Sequence, residues 1–242
     1  MEENCVQPTH ERPNKGSQHQ AASPVNNQEE PNYPREEKRA GVYGLKLNDL
    51  LDQPIVVSPG KYVRLSGLGR QAEPGLARLQ PKNLDDVKRW IGIPDALGAK
   101  RSCGCDLPAG VPGVSTAGDV RQLDPNMQRA LHDLANQYVN GDSRPLAAYQ
   151  STLNLLVDRA VINGVFLRQD IDIHTGAVLE IAKDLKVLFA GHIRIWRGGL
   201  LKLKGPTKID CVSITGNLTN MIVAVDHLPS FATLISLEAI NA

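Results

Sequence analysis

The chain has 242 residues, and its 27 Lys and Arg against 26 Asp and Glu leave a net charge of +1. That length allows one sizeable core or a modest domain with accessory segments. A balance this close to neutral argues against a nucleic-acid binder driven by bulk charge, and leaves only local patches for anionic ligands.

Residues 1–20 lack a charged start followed by an apolar stretch, so no signal peptide is visible. No run of about 18 apolar residues is present, so no spanning helix is expected. The default location is cytoplasmic, with signal-independent export left open. Four cysteines, Cys5, Cys103, Cys105 and Cys211, are too few for a disulfide-stapled secreted domain.

Residues 1–40 are rich in Gln, Asn, Pro, Glu and Lys and poor in large apolar side chains. Such a segment cannot offset its ordering entropy, so it reads as a disordered tail. Residues 41–66 form a β segment expected to pack on the C-terminal domain. Residues 67–164 are a loop and helical region. Within it, Asn83 caps a short helix over Leu84 to Trp90, which Gly92 and Pro94 end. Residues 98–122, rich in Gly, Pro and Ser, read as a long loop. Asp124 and Pro125 open a helix whose apolar face is Met127, Leu131, Leu134 and Tyr138. A second helix is expected from about Pro145 to Ile162, with Asn163-Gly164 as its stop, making a helical hairpin.

Residues 165–242 read as β throughout. Strands are expected at Ile171–Ile173, Val178–Ile181, Val187–Phe189, Ile193–Trp196, Leu200–Lys204, Ile209–Ile214 and Met221–Val225. Phe231 to Ile240 is a last strand or a terminal cap.

One pattern occurs three times. Ile55 to Leu65, Ile171 to Ile181 and Ile193 to Leu203 all read apolar-x-apolar-x-x-Gly-x-x-apolar-x-apolar. The second and third copies begin 22 residues apart, and the match extends to Lys186 against Lys208 and Val187 against Ile209. Alternation along a strand turns Ile171 and Ile173 inward and Asp170, Asp172 and His174 outward. If copies stack, Asp172 meets Arg194 and Glu180 meets Lys202, both pairs of opposite sign. The first copy would then bring Arg64 near Glu180. A strand–Gly–strand unit at this period predicts an α+β chain with a mainly β C-terminal domain. That domain is expected to be a short, β-helix-like β-solenoid carrying the helical hairpin as an insertion. A β-sandwich is the alternative.

Chemistry is sparse. Asp172, His174, His192, Arg194 and Trp196 are candidates for a ligand-facing surface. The carboxylates and the exposed indole suit a carbohydrate, and a solvated face of ion pairs is the bland reading. Lys202 and Lys204 belong to a positive run from Lys183 to Lys208, suited to an anionic ligand or to protection of a sheet edge. Cys103-Gly104-Cys105 reads as free thiols in a loop, since two further ligands at zinc spacing are missing. Gly67-Leu68-Gly69 and Ser58-Pro59-Gly60-Lys61 fail as nucleotide motifs, lacking respectively a following helix and an upstream Gly. No cofactor or metal motif and no catalytic residue is legible. The favoured function is a non-enzymatic structural or interaction module that self-associates or binds a protein partner. A carbohydrate-binding or polysaccharide-active protein is the first alternative, and an anionic-ligand adaptor the second.

Overall fold

A computed structural model describes residues 33–68, 75–98, 114–216, 221–223 and 236–237. Helix α1 (Tyr33–Val42) is followed by β1 (Ile55–Val57), β2 (Tyr62–Leu65) and β3 (Leu76–Leu79). Then come α2 (Leu84–Ile91), α3 (Asp95–Gly98), α4 (Ala117–Gln122), α5 (Pro125–Asn140) and α6 (Gln150–Asn154). The remaining strands are β4 (Ala160–Phe166), β5 (Ile171–Ile173), β6 (Val178–Ile181), β7 (Leu185–Phe189), β8 (His192–Ile195) and β9 (Leu200–Leu203). After them lie β10 (Lys208–Asp210), β11 (Ser213–Gly216), β12 (Met221–Val223) and β13 (Ser236–Leu237). No helix among the described residues is long and apolar enough to cross a membrane.

The strands form three sheets, in the orders β1-β5-β8-β11, β12-β9-β6-β2 and β10-β7-β4-β13, with β3 also on β4. Pairing is parallel except where β3 and β13 meet β4. Three mostly parallel sheets with six helices make a mixed α/β fold, and no closed or solenoid sheet is found among the described residues. This corrects the expected α+β class with its β-solenoid domain, and equally the β-sandwich. The physical reason is that the helices are not an insertion beside the strands. Leu131, Leu134, Val139 and Trp90 share one core with Ile162, Phe166, Val187 and Phe189 of the central sheet. A second core lies on the other side of that sheet, built from Val165, Leu188 and the inward rows of the other two sheets. β4 is buried along its whole length, as a parallel strand covered on both faces must be.

The 22-residue spacing does set strand register. Ile171, Asp172 and Ile173 pair with Ile193, Arg194 and Ile195, and Glu180 pairs with Lys202. β1 and β2 pair with β5 and β6, aligning Val56 with Asp172 and Arg64 with Glu180. Gly60, Gly176 and Gly198, the turn glycines of the three copies, have φ of 67°, 69° and 79°. That left-handed conformation is what the motif reserves a residue without Cβ for.

Several local expectations are corrected. Residues 33–40, assigned to the tail, belong to α1, and Ala40 is fully buried; residues 1–32 lie outside the described residues. The second helix breaks into a 3-10 turn over Arg144–Tyr149, α6, and another turn over Leu155–Val157. Asn163-Gly164 lies inside β4 rather than capping a helix. The run Ala160-Val161-Ile162 is buried and two of its three residues, Val161 and Ile162, are β-branched, so packing between two cores overrides helical spacing. Part of the expected loop at 98–122 is α4, opened by a capping box between Thr116 and Asp119. Ile209–Ile214 is two strands in different sheets, and Lys208 pairs with Val187 rather than Lys186. Asn163 pairs with Leu185 and Gly164 with Val187, so Lys186 is an extra residue bulged out of β7. The Cys103–Cys105 and Phe231–Ile240 expectations fall wholly or mostly outside the described residues.

Candidate functional site

The outer face of the β1-β5-β8-β11 sheet gathers Asp172, His174, His192, Arg194 and Trp196. Arg194 is its hub. Its Nη2 donates to Asp170 Oδ2 at 2.6 Å, and its Nη1 lies 3.3 Å from both oxygens of Asp172. Partial burial opposes the guanidinium charge, but Asp170 and Asp172 outweigh it and hold the group above its ordinary pKa. Asp170 Oδ1 also accepts the backbone N–H of His192 at 2.7 Å. The His192 Nδ1 is 2.7 Å from Ser213 Oγ on β11. Because Asp170 holds the backbone of His192 rather than its ring, these three residues do not form a Ser–His–Asp relay. Both carboxylates serve one guanidinium, which makes this an ion-pair network rather than an acid–base pair.

His174 and Trp196, one residue beyond the paired rows, stack with ring planes 4° apart and centroids 5.6 Å apart. Trp196 remains 51% exposed. Sequence spacing found these residues but not Ser213, whose place opposite His192 follows from a repeat shortened to 21 residues.

Lys202 and Lys204 are elsewhere, Lys202 on β9 of the β12-β9-β6-β2 sheet and Lys204 directly after that strand. With Arg64 they surround Glu180, at 3.5 Å (Lys202), 3.8 Å (Lys204) and 3.7 Å (Arg64). Glu180, expected on a solvated face, is only 5% exposed. Burial alone would raise its pKa; hydrogen bonding from Tyr62 and the charges of Lys204 and Lys202 bring it below the ordinary value. The two groups of candidates therefore form two separate faces.

A cleft of about 1030 Å³ opens between the α4 N-terminus and the start of β4, lined by Lys82, Thr116, Asn154, Asp158 and Arg159 among others. None of the candidates from sequence lines it. Among the described residues, no group of three or more His, Cys, Asp and Glu could hold a metal ion, and Cys211 is a free thiol. Compared with known proteins, the chain matches no family model, no curated sequence and no solved structure.

Proposed function

We propose that this chain is a non-enzymatic interaction module that associates with a second copy of itself through the edge strands β1 and β2. The observation that carries the reading is one-sided pairing. Among the described residues β1 pairs only with β5, and β2 only with β6. Ile55 N–H and Val57 C=O bond toward β5, so strand alternation aims the backbone of Val56 away from it. Lys61 C=O and Leu65 C=O bond toward β6, which leaves Tyr62 and Arg64 facing outward in the same way. Val56 is 52% and Tyr62 57% exposed. An unpaired edge of this kind is a template for another strand.

A second copy is the favoured occupant because, among the described residues, β11 and β12 form the opposite edges of the same two sheets, running in the same direction. One copy's β1 and β2 can continue the sheets where another copy's β11 and β12 stop, a head-to-tail contact. The free thiol of Cys211 is compatible with a reducing cytoplasm. Light scattering on the full chain should show a mass that grows with concentration. Val56→Pro removes an outward N–H that β5 does not use, so the variant should fold and stay monomeric. A wild-type monomer at every concentration would end the reading.

The exposed His174–Trp196 pair favours a second reading, contact with a glycan through the indole face. Trp196→Ala should then abolish retention on immobilised glycans. Equal retention of both proteins removes that face from consideration.

A further inference from the structure

We propose that Arg64, Lys202 and Lys204 form a binding site for a tetrahedral dianion, a phosphate or sulfate group. The proposal is independent of strand docking, because it uses side chains and not edge backbone.

Three cations converge on one carboxylate. Arg64 reaches Glu180 Oε1 through Nε, while Lys202 and Lys204 both approach Oε2. None of these contacts is shorter than 3.5 Å, longer than a charge-assisted hydrogen bond of about 2.7–2.9 Å. Arg64 and Lys204 are thus held at Glu180 by charge at long range, while Lys202 also hydrogen-bonds it with one of the three donors of its ammonium. Glu180 balances one charge, and the surplus of two equals the charge of one phosphate monoester or sulfate.

The cationic side chains are 59%, 33% and 42% exposed for Arg64, Lys202 and Lys204, against 6% for Glu180. The donors lie at the surface with the carboxylate beneath them. Lys202 lies on β9 and Lys204 just past its end, with Lys204 N–H still bonded to Ile181 C=O, and two extended residues span about 7 Å. Arg64 lies two strands away through β6, about 10 Å. These distances let long side chains close over one tetrahedral group. The exposed hydroxyl side chain of Tyr62 borders the same carboxylate.

Protection of a sheet edge does not explain the lysines. β9 is an interior strand between β6 and β12, so it has no free edge to guard. Neutralising Glu180 does not explain them either, since one cation suffices for that.

The test is titration of the full chain with sulfate, inorganic phosphate and glycerol phosphate at low ionic strength, followed by calorimetry or backbone NMR shifts. Saturable binding should center on β2, β6 and β9. Lys202→Gln with Lys204→Gln should weaken it about tenfold or more, and Glu180→Gln, which removes the competing charge, should tighten it several-fold. Phosphate should bind more tightly at pH 8 than at pH 6 as its dianion forms, with sulfate unchanged. Glycerol phosphate binding alongside inorganic phosphate upholds the site with a phosphorylated molecule as ligand; binding of the free ions alone upholds it with the ion itself. Absence of saturable binding, or affinity indifferent to the lysine variants, overturns the assignment. So does weaker binding in Glu180→Gln with the fold intact by circular dichroism.

Discussion

Lys186 is 5% exposed and makes no ion pair among the described residues, Asp184 acting on it only at longer range; its Nζ donates to Lys183 C=O at 2.5 Å. Burial pushes its pKa down to about 8 from 10.5. The unfolded chain therefore binds more protons than the folded one between about pH 8 and 10.5, and stability should rise with pH across that window. Lys186→Met should remove this slope and raise stability near pH 7 by up to about 2–3 kcal/mol, read from urea unfolding at pH 7 and pH 10. Arg39 shows a different case, a charge paired through Nε and Nη2 while its buried Nη1 has no hydrogen-bond partner among the described residues. Its guanidinium bonds the Asp210 carboxylate at 2.9 Å and the carbonyls of Ala190 and Asp210, and lies 4.3 Å from the centre of the Phe189 ring. Tyr43 donates to the same carboxylate. Arg39→Met leaves Asp210 without its cation and should cost about 2–3 kcal/mol, while Asp210→Asn in the same chain should recover part of that loss.

At the scale of elements, two kinds of signal proved readable. Two N-caps were local and sufficient, unlike the stop read at Asn163-Gly164: Asn83 Oδ1 accepts Asp86 N–H at 2.9 Å, and Asp124 accepts from Asn126 and Met127. Asn83→Ala should lower stability by about 1 kcal/mol in thermal unfolding. The repeat was equally local, since each copy needs only its inward rows and one turn glycine. Gly176→Ala places a Cβ on a left-handed residue and should cost about 1–2 kcal/mol with no change in strand content. The bulge at Lys186 was not readable, because it exists only in relation to β4 and β10 on either side. Nor was the fate of residues 150–166, where an apolar helical stripe and a buried strand look alike over a few turns. The face of Asp172, His174, His192, Arg194 and Trp196 could be drawn from strand alternation alone. Its separation from Lys202 and Lys204 could not, since alternation says which side of a strand a residue takes but not which sheet the strand joins.

For the whole molecule, the decisive fact is that β4 and β7 lie between two cores. Leu188 and Val165 face the core of the repeats, while Val187 and Phe166 face the helices. Neither core can be lost without exposing one face of these strands. Residues 33–216 should then unfold as one cooperative unit. The two tryptophans report on it independently: Trp90 is buried among the helices and Trp196 is exposed on the sheet face. Single-tryptophan variants, Trp90→Phe and Trp196→Phe, should give the same urea midpoint once corrected for their own stability changes. Separated transitions would show that the helices and the sheets fold apart.

By itself the sequence determined features that depend on near neighbours: the caps at Asn83 and Asp124, turn glycines, the inward and outward rows, and the 22-residue register that pairs Asp172 with Arg194 and Glu180 with Lys202. A strand's period and its next neighbour are both written in local apolar spacing, which is why these were legible. Tertiary structure decided the rest. It placed α1 and the helices against the central sheet, split Ile209–Ile214 between two sheets, and buried Glu180 under three cations. Those outcomes depend on which surface covers which, and burial is settled by segments more than a hundred residues apart, as Arg39 and Asp210 are, leaving no mark on either stretch alone.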